Sequence, residues 1–242
     1  VVRTVDGPVW AGFLGVAWDV RYPAFDPITD AREADPWARP ARGPRAAPGT
    51  YPGQLGKPVD GESSRLGEPR TFRAVSLGLA TLAAADSAAL EEFQRQVAQL
   101  QRAVFGTAEV SRERARQLEL LFEGVQATVG LAPTEASRVG HLRSRLYDIE
   151  EVLWGDRTVA SRSEPTLPGL LRRVDRVVSG FWSSSAPTAT HRRDFEIAAA
   201  AFADLLESFR EFETDFAALQ RDLDRQGAPW TPGRGLPTWP PG

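Results

Sequence analysis

Four carboxylates stand close together near the middle of the chain: Asp148, Glu150, Glu151 and Asp156. A pair of them would supply the acid and base of a glycosidase. Glu150 and Glu151 are adjacent, however, so on a helix they point about 100° apart. A solvated helix face accounts for them more simply. His191 and Asp194 have the i, i+3 spacing of a weak metal or base–orienter pair. They fall in a first helical turn, where Asp suits the dipole in any case. His141 lies off the apolar seam of its helix and is expected at the surface. Arg172, Arg173 and Arg176 make a small basic patch, for which ion pairing with neighbouring acids is the expectation. Trp10, Trp18 and Trp37 are candidates to stack a sugar. Strand phase puts Trp18 in a core and leaves Trp37, in a loop, as the one to test.

No Gly-rich phosphate loop follows a strand, and no Gly-x-Ser-x-Gly elbow occurs. The chain has no Cys and only two His, which excludes a thiolate nucleophile, disulfides and Cys-based metal centres. The residues thus assign no catalytic, cofactor-binding or metal-binding position, and no cofactor.

At 242 residues the chain is long enough for one large domain or two small ones. Its 42% hydrophobic and 25% charged residues exclude wholesale disorder. A net charge of −3 argues against non-specific nucleic-acid binding. No apolar run approaches the roughly 18 residues that suggest a membrane-crossing helix. There is no initiator Met and no signal-peptide pattern, so the chain reads as a piece of a longer protein or as a processed one.

Proline divides the molecule. Ten of the 19 prolines fall in 1–85, four in 86–226 and five in the tail 227–242. Proline lacks an N–H and breaks helix interiors, so only the middle stretch is open to long helices. The first stretch predicts short strands at Val1–Val5, Phe13–Arg21, Gly49–Leu55 and Pro69–Leu77. Val16, Trp18 and Val20 share one face of the second. Residues 24–48 read as a long loop, and Val59-Asp60-Gly61 as a hairpin turn.

In the middle stretch apolar residues recur at helical spacing. Leu90, Phe93, Val97, Leu100, Val104, Ala108, Leu118, Phe122 and Val125 keep one phase across Gly106, so a single helix is expected over 87–129. Further helices are expected at 134–154, 167–182 and 188–226, with a polar break at 155–166. In the last, Phe195, Phe202, Phe209, Phe216 and Leu223 stand seven apart, with Ala198, Leu205, Phe212 and Leu219 in the companion positions. Such a column would line an apolar slot or fill a core. Heptad spacing favours the core. Two long helices and two short ones of matching summed length predict an antiparallel bundle of three columns, the middle one broken. The runner-up is a compact four-helix bundle kinked near Gly106.

Three motifs carry a resemblance. Trp18-Asp19-Val20-Arg21-Tyr22-Pro23, the stretch from Gly43 to Tyr51 ending in Ala-Pro-Gly-Thr-Tyr, and Leu66-Gly67-Glu68-Pro69-Arg70-Thr71-Phe72 resemble the C-terminal region of bacterial sortilin-like (VPS10-like) BNR-repeat β-propeller proteins. These exported proteins often carry a glycosyl hydrolase label. The tail from Gly227 to Arg234 also looks like the end of that family. The resemblance implies an immunoglobulin-like sandwich followed by a helical segment, an exported location, and the propeller of the same protein or another protein as partner. Pro52-Gly53 departs from the family by interrupting a strand. No Asp-box of the Ser-x-Asp-x-Gly-x-Thr-Trp type occurs, so no propeller repeat is expected in this chain.

The combined expectation is an α+β chain: a partial immunoglobulin-like β-sandwich at 1–85, a helical bundle at 86–226 and a Pro/Trp-rich tail at 227–242. Its expected role is that of a non-catalytic accessory or assembly module. The alternatives are part of a glycoside-hydrolase-like enzyme, and a helical adaptor whose seam binds a partner helix.

Overall fold

The computed structural model describes residues 2–28, 43–60, 62–78, 86–128, 130–131, 133–180 and 183–237. The fold is mixed α+β. Two antiparallel strands, β1 (Gly49–Val59) and β2 (Glu62–Ala74), precede five helices. These are α1 (Ser87–Ala127), α2 (Pro133–Trp154), α3 (Arg157–Ser161), α4 (Leu170–Ser179) and α5 (Ala189–Arg225).

Helix ends follow local chemistry. Asp86 caps α1 by accepting from the Ala88 and Ala89 amides at 3.0 and 2.9 Å. Pro133 opens α2, where a missing N–H costs nothing. Thr188 caps α5 through the His191 amide. α1 runs unbroken through Gly106 for 41 residues, about 62 Å. The kinked alternative is thereby excluded: an apolar phase kept across a glycine costs the helix only about 1 kcal/mol there.

The four longer helices share one core. It includes Val104, Leu118 and Leu121 of α1, Leu142, Leu146 and Leu153 of α2, Val174 of α4, and the Phe202–Phe209–Phe216 column of α5 with Leu205, Phe212 and Leu219. Paired residues give the directions. Ser111 meets Glu150 and Glu119 meets Arg143, so α1 and α2 are antiparallel. Arg138 meets Asp222 and Arg145 meets Asp215, so α2 and α5 are antiparallel. Phe93 meets Phe195 and Arg114 meets Glu213, so α1 and α5 run the same way. α2 and α4 abut closely. A Cβ on Gly169, just before α4, would sit 2.4 Å from the Trp154 carbonyl carbon at the end of α2.

Several expectations are corrected. The stretch 155–166 is not a plain polar break, because Asp156 caps the one-turn α3 through the Thr158 and Val159 amides. The following helix begins at Leu170 rather than 167, since Gly169 is needed for that close approach. Residues 2–5 form no strand, and neither does Phe13–Arg21, which ends in a single bridge between Arg21 and Arg45. Val20 takes a left-handed φ of 57°, which breaks the alternation on which that strand reading relied. Val16 and Val20 are exposed, and Trp18 is only partly covered. Pro52-Gly53 does not interrupt β1: Pro52 pairs with Thr71 and Gly53 with Arg70.

The hairpin turn falls where expected. Val59 pairs with Glu62 and Asp60 adopts φ 51°, as an Asp-Gly loop favours. The tail folds back onto the helices. Ala228, Thr231 and Arg234 are buried, Arg234 donates to the Pro229 carbonyl at 2.7 Å and ion-pairs Asp224 of α5, and Pro229 and Thr231 lie against Gly124 of α1. Among the described residues no helix is long and apolar enough to cross a membrane.

Candidate interaction surface

One aromatic from each of the three motifs converges at the base of the hairpin. Trp18 meets Tyr51 edge-on at 5.4 Å and Phe72 at 5.8 Å, while Tyr51 and Phe72, partners in the ladder, stack at 6.0 Å. Edge-to-face and offset rings at such distances attract beyond simple burial. The Trp18 indole N–H is held by the Arg21 carbonyl at 2.8 Å. Arg21 in turn is buried and donates to the Gly43 carbonyl at 2.9 Å. A Cβ on Gly43 would lie 2.1 Å from the Pro23 carbonyl oxygen, so only glycine permits this crossing.

Glu91 in the first turns of α1 fastens this assembly to the helices. Its carboxylate accepts from the Tyr22 hydroxyl and from the Ala47 amide, the latter at 2.7 Å. The Tyr51 hydroxyl donates to the Ala47 carbonyl. Burial and the bond to Glu91 push the Tyr22 phenol up to about 12, and burial also raises that of Tyr51. Both hydroxyls therefore stay protonated as donors throughout the ordinary pH range.

Beyond this base the hairpin is exposed on both sides. Alternation places Tyr51, Gly53, Leu55, Lys57 and Val59 on one side of β1, opposite Phe72, Arg70, Leu66, Ser64 and Glu62, with a register shift between Gly53 and Leu55. The reverse side carries Thr50, Pro52, Gly56 and Pro58 opposite Arg73, Thr71, Arg65 and Ser63. The first side thus mixes Leu55, Val59, Leu66 and Phe72, all exposed, with Lys57, Arg70 and Glu62. Its edges also differ. Proline fits a ladder only where its nitrogen faces away from the partner strand. Pro52 and Pro58 therefore strip donors from the outer edge of β1, whereas β2 loses one only at Pro69. β1 is a blunted edge and β2 an open one.

The other candidate residues are scattered. Asp148 and Glu151 are exposed on α2, Glu150 faces Ser111 at 3.4 Å, and Asp156 is occupied in capping α3. These carboxylates do not converge on a common pocket. Asp194 is buried and bound by Arg173 and Arg176 at 2.7 and 2.8 Å, so it does not orient His191. Arg172 and His141 are exposed, as is Trp10, and Trp37 lies outside the described residues. Phe202, Phe209 and Phe216 of the α5 column are core, whereas Phe195 is half-buried against a smaller cluster of Val97, Ala98 and Val177. Among the described residues no group of three or more metal-ligating side chains gathers.

Sequence reasoning missed Glu91 as the fastener and Leu55 and Leu66 as an uncovered face. The one available signal was that the motifs each hold an aromatic. Compared with protein-family models, curated proteins and solved structures, the chain matches none.

Proposed function

We propose that this chain is a non-catalytic accessory or assembly module that docks on a protein partner through the apolar side of its hairpin. The observation that carries this is that Leu55, Val59, Leu66 and Phe72 lie exposed on one side of the hairpin, rimmed by Lys57, Arg70 and Glu62 and covered by no layer among the described residues. A two-stranded hairpin is at best marginally stable alone in water and gains from a further layer or strand. In this reading the hairpin belongs to an immunoglobulin-like sandwich, as the three motifs suggest, and the helices form a three-column antiparallel bundle, as their lengths suggest. The partner is then the propeller region of an exported sortilin-like protein. The β2 edge is the side on which further strands add.

Calorimetric titration of the chain with a BNR-repeat propeller of that kind tests the reading. Saturable binding by the native chain, lost in the double variant Leu55→Asp/Leu66→Asp with the helical signal intact, is the expected outcome. Absence of binding, or equal binding by both, removes the proposal.

A further inference from the structure

A cavity of about 150 Å³ lies where the turn between α4 and α5 meets the first half of α1. Its apolar walls are Leu90, Phe93, Val177 and Pro187, and its polar groups come from Gln94, Ser183, Ser185, Thr188 and His191. Gln94 is only 3% exposed. Its side-chain amide makes no hydrogen bond to another described residue and is not sealed from solvent. It borders the cavity, so a ligand there is the available partner.

The electrostatics of the place favour an anion. The cavity opens at the N-terminus of α5, a 37-residue helix whose first-turn amides and dipole attract negative charge. The Thr188 hydroxyl satisfies one of those amides, that of His191. Among the described residues no Asp or Glu lines the cavity. The nearby Asp194 is bound by two guanidiniums, Arg173 and Arg176, which leaves that cluster with a net positive charge. Gly180 adds room: a Cβ there would stand 3.1 Å from His191 Cε1.

The apolar walls and the size narrow the ligand. A cavity of about 150 Å³ is large enough to accept a benzene ring. We propose that this cavity binds a small monocarboxylate with an apolar body of about that size, its carboxylate held by the Gln94 amide and the start of α5. The site is independent of the hairpin and of the docking reading.

Benzoate is the probe, titrated into the full chain and followed by amide NMR, including the Gln94 side-chain resonances. The expected result is saturable shifts at Gln94, His191 and the first turn of α5. Benzamide, which keeps the ring but lacks the charge, should bind at least tenfold more weakly. Gln94→Leu, which keeps the volume in an apolar setting, should weaken benzoate by at least tenfold. Benzoate shifts that do not saturate, benzamide binding as tightly as benzoate, or undiminished binding by folded Gln94→Leu would each overturn the proposal. The comparison of the two probes on the native chain decides the matter even if the variant does not fold.

Discussion

Leu205 on α5 is 4% exposed, whereas Leu55 on β1 is 67% exposed. Leu205 belongs to an apolar pattern of period seven, and Leu55 stands four residues from Tyr51 and from Val59 on one side of β1. The helices close their pattern on themselves. Each of the four longer ones presents a stripe to the others, and the α5 column meets α1, α2 and α4 in one core. Among the described residues the ring laid on the base of the hairpin is Trp18 of the preceding segment. Apolar side chains call for a second layer, and among the described residues only the helical region supplies its own. The same residue type therefore measures stability in one region and availability in the other.

The largest test of that contrast is Phe212→Ala. Phe212 is fully buried between Phe209 and Phe216, so truncation should cost about 3–5 kcal/mol through lost burial and an unfilled cavity. A denaturant midpoint close to that of the native chain would show that the helical core is not closed. Next comes Asp194→Asn, which replaces the carboxylate that both Arg173 and Arg176 grip. Charge-assisted bonds of this kind are worth about 1.5–3 kcal/mol, and a thermal melt should register a loss in that range.

Gly106→Ala should act in the other direction. A Cβ at Gly106 meets nothing within 4 Å, so α1 should gain up to about 1 kcal/mol. A lower melting temperature would mean that α1 is not continuous there.

Attachment of the hairpin base should depend on alkaline pH. The folded-state pKa of Tyr22 is raised from 10.0 to about 12, chiefly by burial and then by its bond to Glu91. The folded form thus keeps a proton that the unfolded form gives up. The contribution is fully present below pH 10 and is lost as pH rises toward 12. Hydrogen-exchange protection in β1 and β2, taken relative to the base-catalysed intrinsic rate at each pH, should fall across that window in the native chain. In Tyr22→Phe that protection should show little further change, while the helices keep theirs in both.

The smallest effect is expected at the hairpin face. Leu55→Ser and Leu66→Ser should each move stability by no more than about 0.5 kcal/mol, because these side chains are already in water. A loss of 2 kcal/mol or more, read from denaturant melts, would reveal a covering layer and cancel the contrast.

The sequence alone placed the long helices to within a few residues, because an apolar seam at helical spacing is a local signal. It placed the Asp60-Gly61 turn for the same reason. Phe13–Arg21 was misread, since alternation over a few residues occurs as readily in an irregular segment as in a strand. What makes a strand is a partner, and here pairing stops at the single bridge from Arg21 to Arg45. The convergence of Trp18, Tyr51 and Phe72, the grip of Glu91 on Tyr22 and Ala47, and the place of Gln94 beside the α5 N-terminus were likewise invisible. Each depends on residues brought together from distant parts of the chain. Helix phase and turn chemistry are written in neighbouring residues, whereas a surface or a cavity exists only once separate segments pack. Tertiary structure therefore decided which apolar side chains close into a core and which remain available to a partner.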